Sequence, residues 1–201
     1  MNKLITAFCL AFIFSVCALA QTGEDYNRNE FFVGYSNQQV GRGERDTFHG
    51  FEGSYVRNVS RYFGIKADVT GAYRNDDFQA TIQTAPGVNT TFRAENRTSI
   101  YNFLGGVQVK DNASQARLKP FGHALAGVAH IRTKIRSSST GLATQDFTLS
   151  DTGFAAGLGG GLDIKINDRF DFRAIQVDYN PIYSESRFSN NVRFSIGLVI
   201  K

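Results

Sequence analysis

The sequence predicts an all-β protein, an eight-stranded antiparallel up-and-down transmembrane β-barrel that follows a cleaved signal peptide. Three observations predict it. Apolar and polar residues alternate with period two in about eight separate segments, and such alternation gives a strand one apolar and one polar face. The connections between the segments are alternately long and short. The chain opens with an export signal, so the barrel forms outside the cytoplasm.

That signal is Lys3, the apolar run from Leu4 to Phe14, and the small residues Ala18-Leu19-Ala20. We expect cleavage before Gln21, giving a signal peptide over 1–20 and a barrel domain over 21–201. The run is too short for a membrane anchor, which needs about 20 apolar residues. Both cysteines, Cys9 and Cys17, lie in the leader, so the mature chain can form neither a disulfide nor a thiolate metal site. The formal charge of +4 falls to +3 once Lys3 is removed, too small an excess to suggest nucleic acid as a partner. No later stretch is apolar enough for a membrane helix, but a membrane strand needs only about 10 residues and alternates.

The first segment, Glu30 to Asn37, places Phe31, Val33 and Tyr35 on one face. The second, Phe48 to Asn58, opposes Phe51 and Tyr55 to Glu52 and Ser54. In the third, Tyr62 to Arg74, the alternation is strongest: Phe63, Ile65, Ala67, Val69 and Tyr73 against Lys66, Asp68 and Thr70. The fourth spans Thr98 to Lys110. The fifth, Phe121 to Ile135, is rich in Gly and Ala, which leaves its facing open. The sixth, Thr152 to Ile166, sets Phe154, Leu158, Leu162 and Ile164 against Asp163 and Lys165. The seventh, Arg169 to Asn180, sets Ile175, Val177 and Tyr179 against Gln176 and Asp178 and ends at Pro181. The last runs to the end of the chain with Val192, Phe194, Ile196, Leu198 and Ile200 on one parity.

Loops are expected at 38–47, 75–93, 136–150 and 182–190, after the odd-numbered strands, and short turns after the even ones. Outer-membrane barrels show this sorting, with short periplasmic turns and long external loops. Alternation alone does not say which face is inside, and a soluble periplasmic lipocalin-like barrel binding a small apolar ligand is the alternative. Mid-strand charges favour lipid outside. Glu52, Lys66, Asp68, Asp163 and Lys165 can pair across a narrow bore, whereas a charge facing hydrocarbon is costly. Aromatic residues near strand ends (Phe63, Tyr73, Tyr55, Tyr179) suggest interfacial girdles.

The chain resembles the small outer-membrane β-barrels of OmpA/OmpX type, the porin-like outer membrane protein β-barrel domain. The residues carrying the resemblance are Pro120 to Gly127, Gly157 to Asp163, Arg173 to Tyr179 and Asn191 to Gly197. The resemblance implies a location in the bacterial outer membrane, and as partners the outer-membrane lipid, lipopolysaccharide and the insertion machinery. A monomer is expected. Family members usually end in an aromatic residue; this chain ends Val199-Ile200-Lys201, with Phe194 the aromatic just upstream.

No motif points to catalysis or to a cofactor. Gly157-Leu158-Gly159-Gly160-Gly161 lies inside an alternating strand, not at the strand-to-helix junction that a phosphate loop requires. A deacylase of the outer membrane carries His with Ser two residues on, and none of His49, His123 or His130 is followed so. His123 and His130, seven apart, fall on opposite strand faces and make a poor metal pair. The chain is expected not to be an enzyme. Arg132, Lys134 and Arg136 form a basic rim at the base of an external loop, a candidate contact for lipopolysaccharide phosphates. The expected function is an integral outer-membrane barrel with a structural, adhesive or minor-pore role, its external loops carrying any specific binding.

Overall fold

The computed structural model describes residues 26–41, 45–85, 88–139, 145–184 and 187–201; the signal-peptide assignment lies outside these residues. The strands are β1 (Asn29–Val40), β2 (Asp46–Asn58), β3 (Phe63–Ala85), β4 (Val88–Lys110), β5 (Leu118–Ser139), β6 (Gln145–Lys165), β7 (Phe170–Tyr179), β8 (Ile182–Ser184), β9 (Arg187–Ser189) and β10 (Asn191–Ile200). Every neighbouring pair is antiparallel. The order runs β1 to β7 in sequence and closes through β10 onto β1, with Phe31 opposite Ile200 and Gln39 opposite Val192. Closure removes the unpaired edges that an open sheet would present to lipid.

The ring therefore has eight members. β8 and β9 prolong β7 and β10 past Pro181 and Asn190, with β8 pairing β6 at Phe154 and Ala155. Proline lacks the ladder donor and interrupts the strand there.

Several expected loops are strand instead. The segment expected as a loop at 75–93 is mostly a hairpin, in register from Asn75↔Arg97 to Gln83↔Asn89 and shifted by one before Ala85↔Val88. Much of 136–150 likewise continues the β5–β6 ladder as far as Ser137↔Gln145. β1 and β2 also extend into 38–47, and β8 and β9 occupy most of 182–190. The physical reason is common to all four. Outside the membrane both faces of a strand meet water, so apolar–polar contrast fades while main-chain pairing persists. On one side of the barrel β3, β4, β5 and β6 thus project together as a four-stranded sheet.

The turn end is tight. Phe63 O accepts hydrogen bonds from Val59 N at 2.9 Å and Ser60 N at 3.1 Å, and the Asn167 side chain accepts from the Phe170 amide at 2.8 Å. Asn and Ser favour such turns because their side chains satisfy nearby backbone donors.

Side chains alternate as the pleat demands. Phe31, Val33, Ile65, Val69, Phe103, Leu158 and Leu198 are exposed on the outer wall, while Glu52, Lys66, Asp68, Thr70 and Arg193 are buried in the bore. β5, ambiguous by sequence, turns Phe121, His123, Leu125 and Ala129 inward and Ala124, Ala126 and Val128 outward. Aromatic side chains ring both ends of the outer wall, with Phe31, Tyr55, Tyr62, Phe63 and Phe170 near the turns and Tyr35, Phe51, Tyr73, Phe154, Tyr179 and Tyr183 toward the loops.

Candidate functional site

Three layers fill the bore. At the loop end, Phe48, Ala72, Ile100, Leu104, Leu125, Ala129, Ala155 and Ile182 pack into an apolar plug. Beneath it lies a charged layer centred on Arg193. Its guanidinium reaches Asp178 at 2.6 Å, Asp68 at 3.2 Å and Glu52 at 3.5 Å. Lys66 Nζ lies 3.5 Å from Asp68 and 3.8 Å from Glu52, and His123 Nε2 lies 2.8 Å from Asp178. Glu52 also accepts from Gln176 at 2.8 Å and from Ser195 at 2.6 Å.

A second charged layer lies toward the turns. Arg173 donates two hydrogen bonds to Asp163 at 2.8 and 3.2 Å, and its guanidinium sits between the rings of Phe32 and Phe121 at 4.3 and 4.0 Å. Lys110 bridges Asp163 at 2.9 Å and Glu30 at 3.0 Å. Gln176 ties the layers together by accepting from Arg173 at 2.7 Å. Buried charges persist only when paired and hydrogen-bonded, and here each carboxylate meets a cation from another strand. Gly159 faces this network because a Cβ there would fall 2.1 Å from Asp178 Oδ1.

Of the five residues read as interior from the sequence, Glu52, Lys66, Asp68 and Asp163 belong to these layers. Lys165 sits at the turn end, donating to Gln115 and pairing with Asp168, each at 2.8 Å. Sequence reasoning missed Arg193, Asp178, Lys110, Glu30 and His123, although strand parity carried a signal for Arg193 and Asp178. Arg173 was hidden by a bulge: Leu162 faces Ile175 but Asp163 faces Arg173. With one extra residue in β7, Arg173 turns inward although it shares a parity with Ile175, Val177 and Tyr179.

The outer face of the projecting sheet is basic. Arg97 on β4 stands directly opposite Lys134 on β5, and Arg132 follows two residues along the same face. All three side chains are exposed. Arg136 is held by Asp146 through bonds of 3.0 and 3.3 Å. That bidentate bond is the main cause holding the Asp146 carboxyl below its ordinary value. Together with Glu95 and Thr148 these residues line a shallow depression of ≈290 Å³.

With this architecture in view, the comparisons with known proteins become informative. The family model described as "Outer membrane protein beta-barrel domain" matches residues 6–199. The chain belongs to that family. It is therefore an integral protein of the bacterial outer membrane, its apolar outer wall in lipid. Among solved structures, the barrel is similar to Ail, the attachment invasion locus protein of Yersinia pestis, crystallised with the heparin analogue sucrose octasulfate. That match has 15% identity, a TM-score of 0.56, and coverage of 86% of this chain and 97% of Ail. Neisserial surface protein A is similar at 13% identity and a TM-score of 0.52, with 89% and 99% coverage. These identities speak for the fold alone. A search of curated proteins returned no match.

The soluble alternative finds no support. A lipocalin-like barrel needs an apolar bore and a polar exterior, and this one has ion pairs within and Phe, Val and Leu without.

Proposed function

We propose that this protein is a structural, adhesive barrel that uses the outer face of its projecting sheet to hold polyanions, first of all the phosphates of surrounding lipopolysaccharide. One observation carries the reading: Arg97 and Lys134 are directly opposed across the β4–β5 ladder with Arg132 beside them. Like charges in directly opposed positions are destabilising; Glu95 meets Arg97 at 3.5 Å, and an anion bridging Arg97, Lys134 and Arg132 would offset the repulsion that remains. The patch lies beyond the aromatic residues Tyr73 and Tyr101 that mark the upper edge of the lipid-facing wall, at the height of the lipid headgroups. Arg guanidinium groups recognise phosphate bidentately and Lys adds a point charge. Arg136 contributes less, because Asp146 already engages it.

The bore argues for a structural rather than a conducting role. Its apolar plug and two ion-paired layers fill the cross-section, as side chains do in narrow eight-stranded barrels. Catalysis has no support in this arrangement, and the closed barrel is the kind of fold that outer-membrane assembly machinery inserts.

The test is to replace Arg97, Arg132, Lys134 and Arg136 together with Gln and follow thermal unfolding in two kinds of vesicle. In lipopolysaccharide-containing vesicles the variant should unfold at lower temperature than the native chain. In phosphatidylcholine vesicles the two should unfold alike, since the exposed bonds of Arg136 to Asp146 and Arg97 to Glu95 that are lost contribute little and offset the repulsion removed. Equal behaviour in lipopolysaccharide would refute the reading.

A further inference from the structure

At the opposite, periplasmic end of the bore the turns enclose a polar recess of ≈160 Å³, lined among others by Tyr26, Asn112, Gln115, Lys119, Lys165 and Lys201. Among the described residues its side-chain charges do not balance. Lys201 Nζ takes Asp171 Oδ1 at 2.5 Å, and Lys165 is bound to Asp168 and Gln115 at 2.8 Å each. Among the described residues Lys119 has only the other oxygen of Asp171, at 4.0 Å, beyond hydrogen-bond reach. Yet the residue is only 5% exposed. Two ammonium groups thus share one buried carboxylate, and the one without a hydrogen bond opens into the recess.

An ammonium that opens into the recess without a hydrogen bond among the described residues is a ready binding element for an incoming anion. Gln115, whose carbonyl oxygen accepts from Lys165, keeps its amide N–H groups as donors at the rim, and Asn112 and Tyr26 add polar atoms. The alternation of β5 places Lys119 with Phe121 and His123 on the inner face, so the recess faces the periplasm along the barrel axis and not the lipid. Its occupant arrives from the aqueous side.

We propose that this recess is a binding site for a small oxyanion, a carboxylate or a phosphate monoester, presented from the periplasm and held by Lys119 with Lys201 and Lys165. Binding supplies Lys119 with a charge-assisted hydrogen bond. The recess also accounts for three lysines converging on a mouth where the described residues supply two side-chain carboxylates, Asp168 and Asp171.

The test uses the mature chain refolded in detergent micelles, titrated separately with inorganic phosphate and acetate and followed by amide chemical shifts. A saturable shift should appear at residues 114–119 and 165–168. It should weaken at least tenfold in Lys119→Met, survive in Lys119→Arg, and be unchanged in Arg169→Gln, an exposed cation of the same end that does not line the recess. Tighter phosphate binding identifies a phosphate-bearing ligand, and tighter acetate binding a carboxylate-bearing one. Heat-modifiable gel migration checks that each variant folds; should Lys119→Met not fold, Lys201→Met carries the same comparison. Because Glu24 and Asp25 precede Tyr26 in the chain, the titration is repeated on Glu24→Gln/Asp25→Asn. If neither chain shows a saturable shift with either anion, or if Lys119→Met binds as the native chain does, the proposal fails.

Discussion

Arg193 gathers carboxylates from three other strands, Glu52 of β2, Asp68 of β3 and Asp178 of β7. Removing one member of a buried ionic network leaves uncompensated charge and typically costs about 3–5 kcal/mol. Arg193→Met should therefore lose about that much stability in urea unfolding from lipid vesicles, and a loss under about 1 kcal/mol would contradict the network's role. Exposed pairs behave differently. At the turns, the Arg61 guanidinium hydrogen-bonds Asp111 at 3.0 and 3.2 Å and holds its carboxyl below the ordinary value. A carboxyl lowered on folding contributes stability that is fully present above the unfolded value of about 3.9 and is lost as pH falls through the folded one. The pair is more than a third exposed, so solvent screens the contribution. NMR titration of the Asp111 carboxyl should give a midpoint below that of a model aspartate, and Arg61→Gln should move it back up.

At the scale of the element, β7 shows what a single extra residue does. Deleting Ala174 would restore regular alternation with Ile175 still facing out and Arg173 still opposite Asp163, so the shortened chain should keep that pair and fold. Breaking the buried pair itself, by Arg173→Met, should cost about 3 kcal/mol or more, read as less folded protein in heat-modifiable migration; full folding yield would contradict the pair's role. This bulge also marks the limit of reading strands from sequence. β3 was legible because one of its faces meets hydrocarbon and the other the charged bore, so Ile65 and Val69 contrast with Lys66 and Asp68 at every step. Arg173 was not, because strict parity places it beside Ile175 and Val177. A mid-strand arginine on an apolar face was itself the available signal. The projecting hairpins were illegible for the reverse reason: around Asn75 to Glu95 both faces are wet, and backbone pairing leaves no mark on side-chain pattern. The basic face was half legible. Arg132, Lys134 and Arg136 follow one another by twos, but their opposition to Arg97 depends on the β4–β5 register, which no local pattern encodes.

At the scale of the whole molecule, closure, plug and ion-paired layers act together. The ring hides every strand edge within the lipid, and the plug seals the loop end. Planar-bilayer recordings should show no large stable conductance; a steady, porin-like current would mean that the layers open. The central claim is the direction in which the wall faces, and a lipid-soluble carbene photolabel followed by mass spectrometry tests it most directly. We predict modification at Phe31, Val33, Ile65, Val69 and Leu198 and none at Lys66, Asp68 or Arg193. Label absent from the first set, with Lys66 and Asp68 freely reactive toward water-soluble reagents, would contradict it.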